Sequence, residues 1–304
     1  MKFFYLAFGG MSLRTLIDLI SMNEIPEFVV THKSYLYDDY KEKFYDKLEE
    51  ICKTNSVKLV NTDKIYELKD DISKVELGVS VGFMEIIKKD IYSAPKFGIL
   101  NLHCGKLPEY RGRAPISRTI MDGNDSQFIT LHKIDSGVDS GPILLEKEII
   151  IEEDDDVNSV YYKCSIHSAL LVREGVELLR MGKTELFKPQ DSSKKYSPWQ
   201  KLSDEERKIN WSLSNKKIFN QIRAMSSPYP CAFSMLNNIP YLFNKAKPVF
   251  SNKNNEMHGC IVDANSDFIV VNTGNGLLMV YDIRNNVNEK VDFANSFKKG
   301  DVFK

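Results

Sequence analysis

The chain has 304 residues, 42% hydrophobic and 27% charged, which is enough to bury a large core and to form one large domain with a smaller one. A formal net charge of -1 provides no broad cationic surface, so a nucleic acid is not expected as the main partner. The apolar run 3–8 is too short to span a bilayer and lacks the flanks of an export signal, so no membrane partner is expected and the expected location is cytoplasmic.

The first half alternates β-rich and helical stretches. A strand over 3–8 leads to a helix over 12–21, a strand over 27–31, a charged helix near 39–53 and a strand over 57–60. Strands over 75–81, 98–102 and 128–134 follow, separated by helices around 85–92 and 115–121. This rhythm predicts an α/β fold: a Rossmann-like, open, mostly parallel sheet with helices on both faces, which binds ligands beyond the carboxyl ends of its strands. A strand over 144–151 precedes a long helix over 157–181. The acidic run 152–156 suits the positive end of that helix and reads as a solvated helix start, not a metal site.

From 183 to 202 the chain turns polar, with Pro189, paired serines, paired lysines and Pro198, as expected of a linker. Beyond it lie a helix near 215–225, the turn Ser226-Ser-Pro-Tyr-Pro230, and strands over 241–246, 259–263, 268–272 and 277–283. Short strands with Asn, Gly and Asp turns predict a small β-rich, OB-like domain. The expected division is a catalytic domain over 1–190 and a linker with the C-terminal domain over 191–304. Tyr229, Phe233, Tyr241 and Phe243 read better as core packing than as a base-stacking face.

Five cysteines are scattered without a CxxC pair, so no disulfide framework is expected. His32, His132, His167 and His258 show no zinc-ligand spacing and read as structural or surface groups, so no metal is expected.

Three segments carry chemistry. In Gly98-Ile-Leu-Asn-Leu-His103 the alternation of a strand points Asn101 and His103 the same way, and two polar groups on one buried face need partners. The loop Cys104-Gly-Lys-Leu-Pro-Glu-Tyr-Arg-Gly-Arg-Ala-Pro115 follows, stiffened by Pro108 and Pro115. Then Ile134-Asp-Ser-Gly-Val-Asp-Ser-Gly-Pro142 has glycines that permit a tight backbone able to aim Asp139 back at His103. Cys104 falls on the opposite strand face from His103, a poor geometry for a Cys-His nucleophile pair.

Together, Asn101-Leu-His103, Leu107-Pro-Glu-Tyr-Arg-Gly112 and Gly137-Val-Asp-Ser-Gly141 resemble the signature of the 10-formyltetrahydrofolate-dependent formyltransferases. Arg207-Lys-Ile-Asn-Trp-Ser212 and the stretch from Ile222 to Pro230 are similar to that family's join to its C-terminal domain. The resemblance implies formyl transfer from 10-formyltetrahydrofolate to an amine, with Asn101, His103 and Asp139 catalytic. It places the pterin against Val81, Gly82, Phe83, Met84 and Ile87, with Leu107, Ile134 and Gly137 beside it. Taken singly, Phe83, Met84 and Ile87 read equally well as helix-face core residues.

Among family members, the Tyr110-Arg-Gly-Arg-Ala-Pro115 string resembles nucleotide-sugar N-formyltransferases, so a nucleotide-linked amino sugar is the expected acceptor. Cys104-Gly-Lys after the histidine, where methionyl-tRNA enzymes show Gly-Ser-Leu, argues against tRNA. Gly9, Gly10, Met11 and Ser12 at a helix start, with Arg111, Gly112 and Arg113, are the expected substrate-binding groups. Gly9-Gly10 also reads as a plain tight turn, and either arginine as a surface group bonding loop carbonyls. The alternatives are a methionyl-tRNA formyltransferase and a non-catalytic folate or nucleotide-sugar binder. Nothing in the sequence speaks against a homodimer.

Overall fold

The computed structural model describes residues 1–33, 39–191, 193, 196, 198–249 and 256–304. Ser192, Lys194, Lys195 and Ser197 of the expected linker lie outside the described residues. By its contacts the chain forms two compact units: Met1–Pro115 with Ser126–Ile150 and Tyr161–Trp199, and Ile116–Asp125 with Ile151–Val160 and Gln200–Lys304.

The first unit holds seven strands: β1 Phe3–Ala7, β2 Phe28–Thr31, β3 Lys58–Asn61, β4 Leu77–Val81, β5 Ile99–His103, β6 Ser126–Lys133 and β7 Ile143–Ile150. Their order is β3-β2-β1-β4-β5-β6-β7. Every residue of β1 and β4 is buried, the pattern of central strands covered on both faces, whereas the edge strand β7 exposes half of its residues. Phe4, Leu6, Phe28, Val30 and Ile99 form one apolar cluster, and each such side chain contributes about 1.5–3 kcal/mol by leaving water. Because β2 and β4 flank β1 on opposite sides, the strand order reverses there, the place where open sheets of this type bind ligands beyond the carboxyl ends of their strands.

Three local expectations are corrected. The strand 128–134 lies antiparallel to β5, as β7 does to β6. The intervening helix Pro115–Met121 falls, apart from Pro115, in the second unit, so it imposes no parallel crossover, and a short loop joins β6 to β7. The helix expected around 85–92 shrinks to Lys89–Tyr92. Gly82 has a φ of +69°, and a Cβ there would lie 2.4 Å from the Phe8 carbonyl oxygen, so only glycine fits where the chain leaves β4. The first helix begins at Gly9, not residue 12, so the paired glycines form its opening turn.

In the second unit, β8 Ala232–Leu236, β9 Ile239–Val249, β10 Ile261–Ala264, β11 Ile269–Asn272 and β12 Leu277–Arg284 form an antiparallel sheet ordered β10-β11-β12-β9-β8. Strand β8 was not expected from the sequence. Trp211, Phe243 and Phe303 pack together in this unit, and Trp211 Nε1 donates to Ser234 Oγ at 3.0 Å, which satisfies the buried indole. Phe243 and Tyr241 thus pack inward, Phe233 lies under the Arg207 guanidinium, and Tyr229 is exposed. Arg118 is buried and reaches the Glu206 carboxylate, holding that carboxyl down at about 2.

Gly78 tests the packing of the first sheet. A methyl group there would meet the Phe4 ring at 2.7 Å and Ile99 Cγ1 at 2.8 Å. Gly78→Ala is expected to lose about 1–3 kcal/mol of unfolding free energy through overpacking, read from the denaturant midpoint. An unchanged midpoint would mean the ring moves freely aside.

Candidate active site

Asn101 and His103 both lie on β5, at its carboxyl end, and both reach Asp139. Asp139 comes from the loop joining β6 to β7 and sits at φ +48°, a left-handed conformation that a short polar side chain tolerates better than most. Its Oδ1 accepts from Asn101 Nδ2 at 3.3 Å, and its Oδ2 accepts from Gly112 N at 2.9 Å and lies 3.5 Å from His103 Nδ1. The Asn101 carbonyl oxygen accepts from Ser80 Oγ at 3.0 Å, across the parallel register of β4 and β5.

His103 is 7% exposed. Its Nε2 lies 2.7 Å from the Tyr110 carbonyl oxygen, which can only accept, so the neutral ring carries its proton on Nε2 and leaves the Nδ1 lone pair toward Asp139. Burial lowers the imidazole pKa below its ordinary value, against the Asp139 carboxylate and the Tyr110 carbonyl, which raise it. For Asp139, burial acts upward, but the His103 and His132 rings and the Gly112 amide outweigh it and hold the carboxyl well below the usual range. A neutral His103 gives Asp139 no full charge. The Gly112 amide acts downward whatever the state of the two rings.

The loop that presents Asp139 is braced from a distance. Gln190 Nε2 donates to the carbonyl oxygens of Asp139 and Gly141, both at 2.8 Å, and Arg111 donates to Gln190 Oε1 through Nε at 3.0 Å and through its NH2 group at 2.5 Å. Arg111 therefore spends its fork on a loop glutamine. Arg113 is exposed, and its backbone N–H donates to the Trp199 carbonyl. Gly112 has a φ of +92°, and a Cβ would stand 2.4 Å from Trp199 O, so only glycine allows the approach that aims its N–H at Asp139.

The expected substrate groups at the first helix divide. Gly9 (φ +82°) has open space at its Cβ position and Gly10 is half-buried. Met11 N donates to the Tyr161 hydroxyl at 2.7 Å, and Ser12 is fully buried against the Tyr5 hydroxyl. Among the expected pterin groups, Phe83, Ile87 and Ile134 pack against the apolar core of the first unit, and Val81 and Leu107 are buried. Gly82, Met84 and Gly137 are exposed, in the two loops that follow β4 and β6. Ile86 and Val138 in the same loops are also exposed, so apolar surface suited to a flat ring is present.

His132, Ser80 and Gln190 join this network without having been singled out from the sequence. The antiparallel register that places His132 opposite Asn101 carries the signal, and that register is not written in the residues. A second cluster, His32, Asp63 and Glu85, brings ligand-type atoms within 4.8 Å of one another. His32 Nε2 accepts from Met84 N at 3.1 Å, so the neutral ring holds its proton on Nδ1, 3.5 Å from Glu85 Oε1. An imidazole used this way keeps no lone pair for a metal. It braces the loop after β4, with its ring stacked 4.1 Å from Phe83. In the second unit a cavity of about 580 Å³ is lined by Glu152, Glu153, Arg223, Lys245, Lys247 and neighbours, and none of the expected site residues borders it.

An amide, an imidazole and a carboxylate thus meet around β5 in a mostly parallel sheet. Residues 9–171 match the formyl transferase family and residues 201–300 the formyl transferase C-terminal domain family. The chain belongs to the formyl transferase family, and it is an enzyme of that class.

A methionyl-tRNA formyltransferase of Thermodesulfovibrio yellowstonii is 36% identical over 221 residues, covering 70% of this chain and 69% of the relative. That of Caldicellulosiruptor saccharolyticus is 32% identical over 252 residues, covering 81% and 79%. The fold is shared with an N-formyltransferase from Helicobacter canadensis solved with folinic acid and dTDP-3-aminofucose, at a TM-score of 0.68, 20% identity and coverage of 92% and 98%. It is also shared with HypX from Aquifex aeolicus in complex with tetrahydrofolic acid, at a TM-score of 0.65, 17% identity and coverage of 96% and 45%.

These relatives correct the expected acceptor and partner. Curated relatives at 30–36% identity over most of the chain are methionyl-tRNA formyltransferases, whereas sugar N-formyltransferases resemble it in fold at about 20% identity. The nucleotide-sugar reading and the exclusion of nucleic acid are therefore withdrawn. Net charge sums a whole surface and does not show whether 41 cationic and 42 acidic residues are locally segregated. Cys104, whose departure from the tRNA-enzyme pattern seemed informative, directs its Sγ at Met11 Sδ, 3.3 Å away.

Acid stability tests the electrostatics. A carboxyl held low contributes stability that is complete above the unfolded value of about 4 and is lost as pH falls toward its folded value. Between pH 6 and pH 3, wild-type protein is expected to lose more unfolding free energy than Asp139→Asn. Parallel curves would mean Asp139 is not held low.

Proposed function

We propose that this protein transfers the formyl group of 10-formyltetrahydrofolate to the amine of methionyl-tRNA. The meeting of Asn101, His103 and Asp139 in one crevice carries the chemistry, and the relatives at 30–36% identity support the acceptor. The exposed apolar residues Met84, Ile86 and Val138 suit a pterin, which would lie between the loops that follow β4 and β6. Formylation of an aminoacyl-tRNA supports a cytoplasmic location. Among the described residues, no helix is long and apolar enough to cross a membrane.

The reaction needs an amine that loses a proton and a formyl oxygen that gains negative charge. Asn101 Nδ2 donates to that oxygen, an interaction that strengthens as charge grows and is worth about 3–4 kcal/mol in comparable oxyanion sites. As the amine nitrogen bonds the formyl carbon, His103 accepts its proton at Nδ1, the nitrogen that carries none in the neutral ring, with Asp139 stabilising the charged ring. The bond from the formyl carbon to N10 then breaks, and the proton passes to the departing folate nitrogen. Burial keeps the ring neutral and ready to accept near neutral pH. The activated formyl donor makes a covalent enzyme intermediate unnecessary, and the remaining gain comes from holding amine and formyl carbon together.

Purified protein is expected to formylate methionyl-tRNA and to leave dTDP-, UDP- and GDP-linked amino sugars unmodified, read by mass. A formyl mass gain on a sugar with inert tRNA would overturn the acceptor. Asn101→Ala is expected to lower kcat about 10²–10³-fold, and His103→Ala and Asp139→Ala at least as much, all with melting temperatures that report a folded protein. The acid limb of kcat/KM reports His103, whose value lies below the ordinary 6.5. Activity is thus expected to persist below pH 6.5 and to fall only in more acid solution.

A further inference from the structure

His132 lies on β6 directly opposite Asn101 in the antiparallel register and is 2% exposed. Its Nδ1 lies 3.1 Å from the Lys133 carbonyl oxygen. A carbonyl only accepts, so Nδ1 holds the proton of the neutral ring and Nε2 presents a lone pair. That lone pair meets Asn101 Nδ2 at 3.1 Å. The amide nitrogen therefore serves two acceptors, His132 Nε2 and Asp139 Oδ1, the latter at 3.3 Å, and it bridges them where they stand 3.4 Å apart.

A carboxamide has two ends of nearly equal shape, and only its partners decide which end points where. The hydroxyl of Ser80 can donate or accept, so its contact with Asn101 Oδ1 suits either orientation. The nitrogen end is the decisive one. Turned around, the amide would place its oxygen against the Asp139 carboxylate and the His132 lone pair, two acceptor–acceptor contacts in a buried pocket. If Asn101 is to serve the formyl oxygen, one of its two N–H groups has to be released. The longer bond, to Asp139, is the one to exchange, and from then on His132 alone among these acceptors keeps the nitrogen end in place.

We propose that His132 is a positioning residue for formyl transfer: by accepting one Asn101 N–H at Nε2, it locks the amide with its other N–H aimed at the formyl oxygen. This rests on the reading of Asn101 as the oxyanion donor. His132 touches neither substrate in this scheme. Its effect belongs to the step in which charge develops, so its loss appears in kcat and not in substrate binding.

Steady-state kinetics with 10-formyltetrahydrofolate and methionyl-tRNA on the full chain test the idea. His132→Leu removes the acceptor and is expected to lower kcat about tenfold to hundredfold, the rate equivalent of losing one strong hydrogen bond, with both KM values nearly unchanged. His132→Gln, which offers an oxygen acceptor, is expected to recover most of that loss. Wild-type kcat in His132→Leu, a loss confined to KM, or a glutamine variant as slow as the leucine variant would each overturn the proposal.

A measurement on the wild-type protein removes any dependence on variant folding. Nitrogen-15 NMR of the imidazoles, with the His132 signals assigned by their absence in His132→Gln, should show Nδ1 protonated and Nε2 bare. A proton on Nε2 contradicts the assignment. The underlying reading fails separately: if Asn101→Ala turns over like wild type, the oxyanion role falls, whereas an inactive Asn101→Ala beside a fully active His132→Leu sinks only the role of His132.

Discussion

The site is organised around a buried carboxylate that is satisfied on both oxygens. Asp139 receives the Asn101 amide on one oxygen and the Gly112 backbone N–H on the other, with an imidazole beside each. Burying an ionised carboxylate without partners costs several kcal/mol, so the partners and the burial stand or fall together. Each partner depends on a separate part of the chain. Asn101 and His103 need the end of β5, Gly112 needs the close approach to Trp199, and Asp139 needs the braced loop that Gln190 and Arg111 hold.

The sheet explains why these parts meet at one edge. Parallel β1 to β5 deliver their carboxyl ends to the same side. Strand β6 runs the other way, its last residue Lys133 opposite Leu100, so the β6–β7 loop starts beside the beginning of β5 and Asp139 reaches back from it to Asn101 and His103, with His132 beside Asn101. The electrostatic outcome follows from this placement: a carboxyl held low stands next to an imidazole also held low.

Much of this was legible in the residues. The spacing of Asn101 and His103 on a strand set them on one face, and the glycines around Asp139 announced a tight loop. The long helix Val157–Arg180 and strands β9 to β12 fell close to their expected ranges. The helix around 85–92 was read too long because Phe83 and Ile87, spaced as on a helix face, pack into the core from a loop. His132 was set aside as structural because its partners lie across a strand pairing rather than nearby in sequence. The acceptor was misassigned from one loop string and a net charge, neither of which reports the local surface a large substrate would use.

The sequence by itself determined the alternation of strands and helices, the fold class, and the amide, imidazole and carboxylate in their local frames, because side-chain periodicity and turn chemistry act over a few residues. The tertiary structure decided the antiparallel return of β6, the tautomers of His103 and His132, the bracing of Asp139 by Gln190, and the diversion of Arg111 from ligand to loop. Those depend on distances between residues far apart in the chain, where hydrogen-bond direction and burial are fixed only once the sheet has closed.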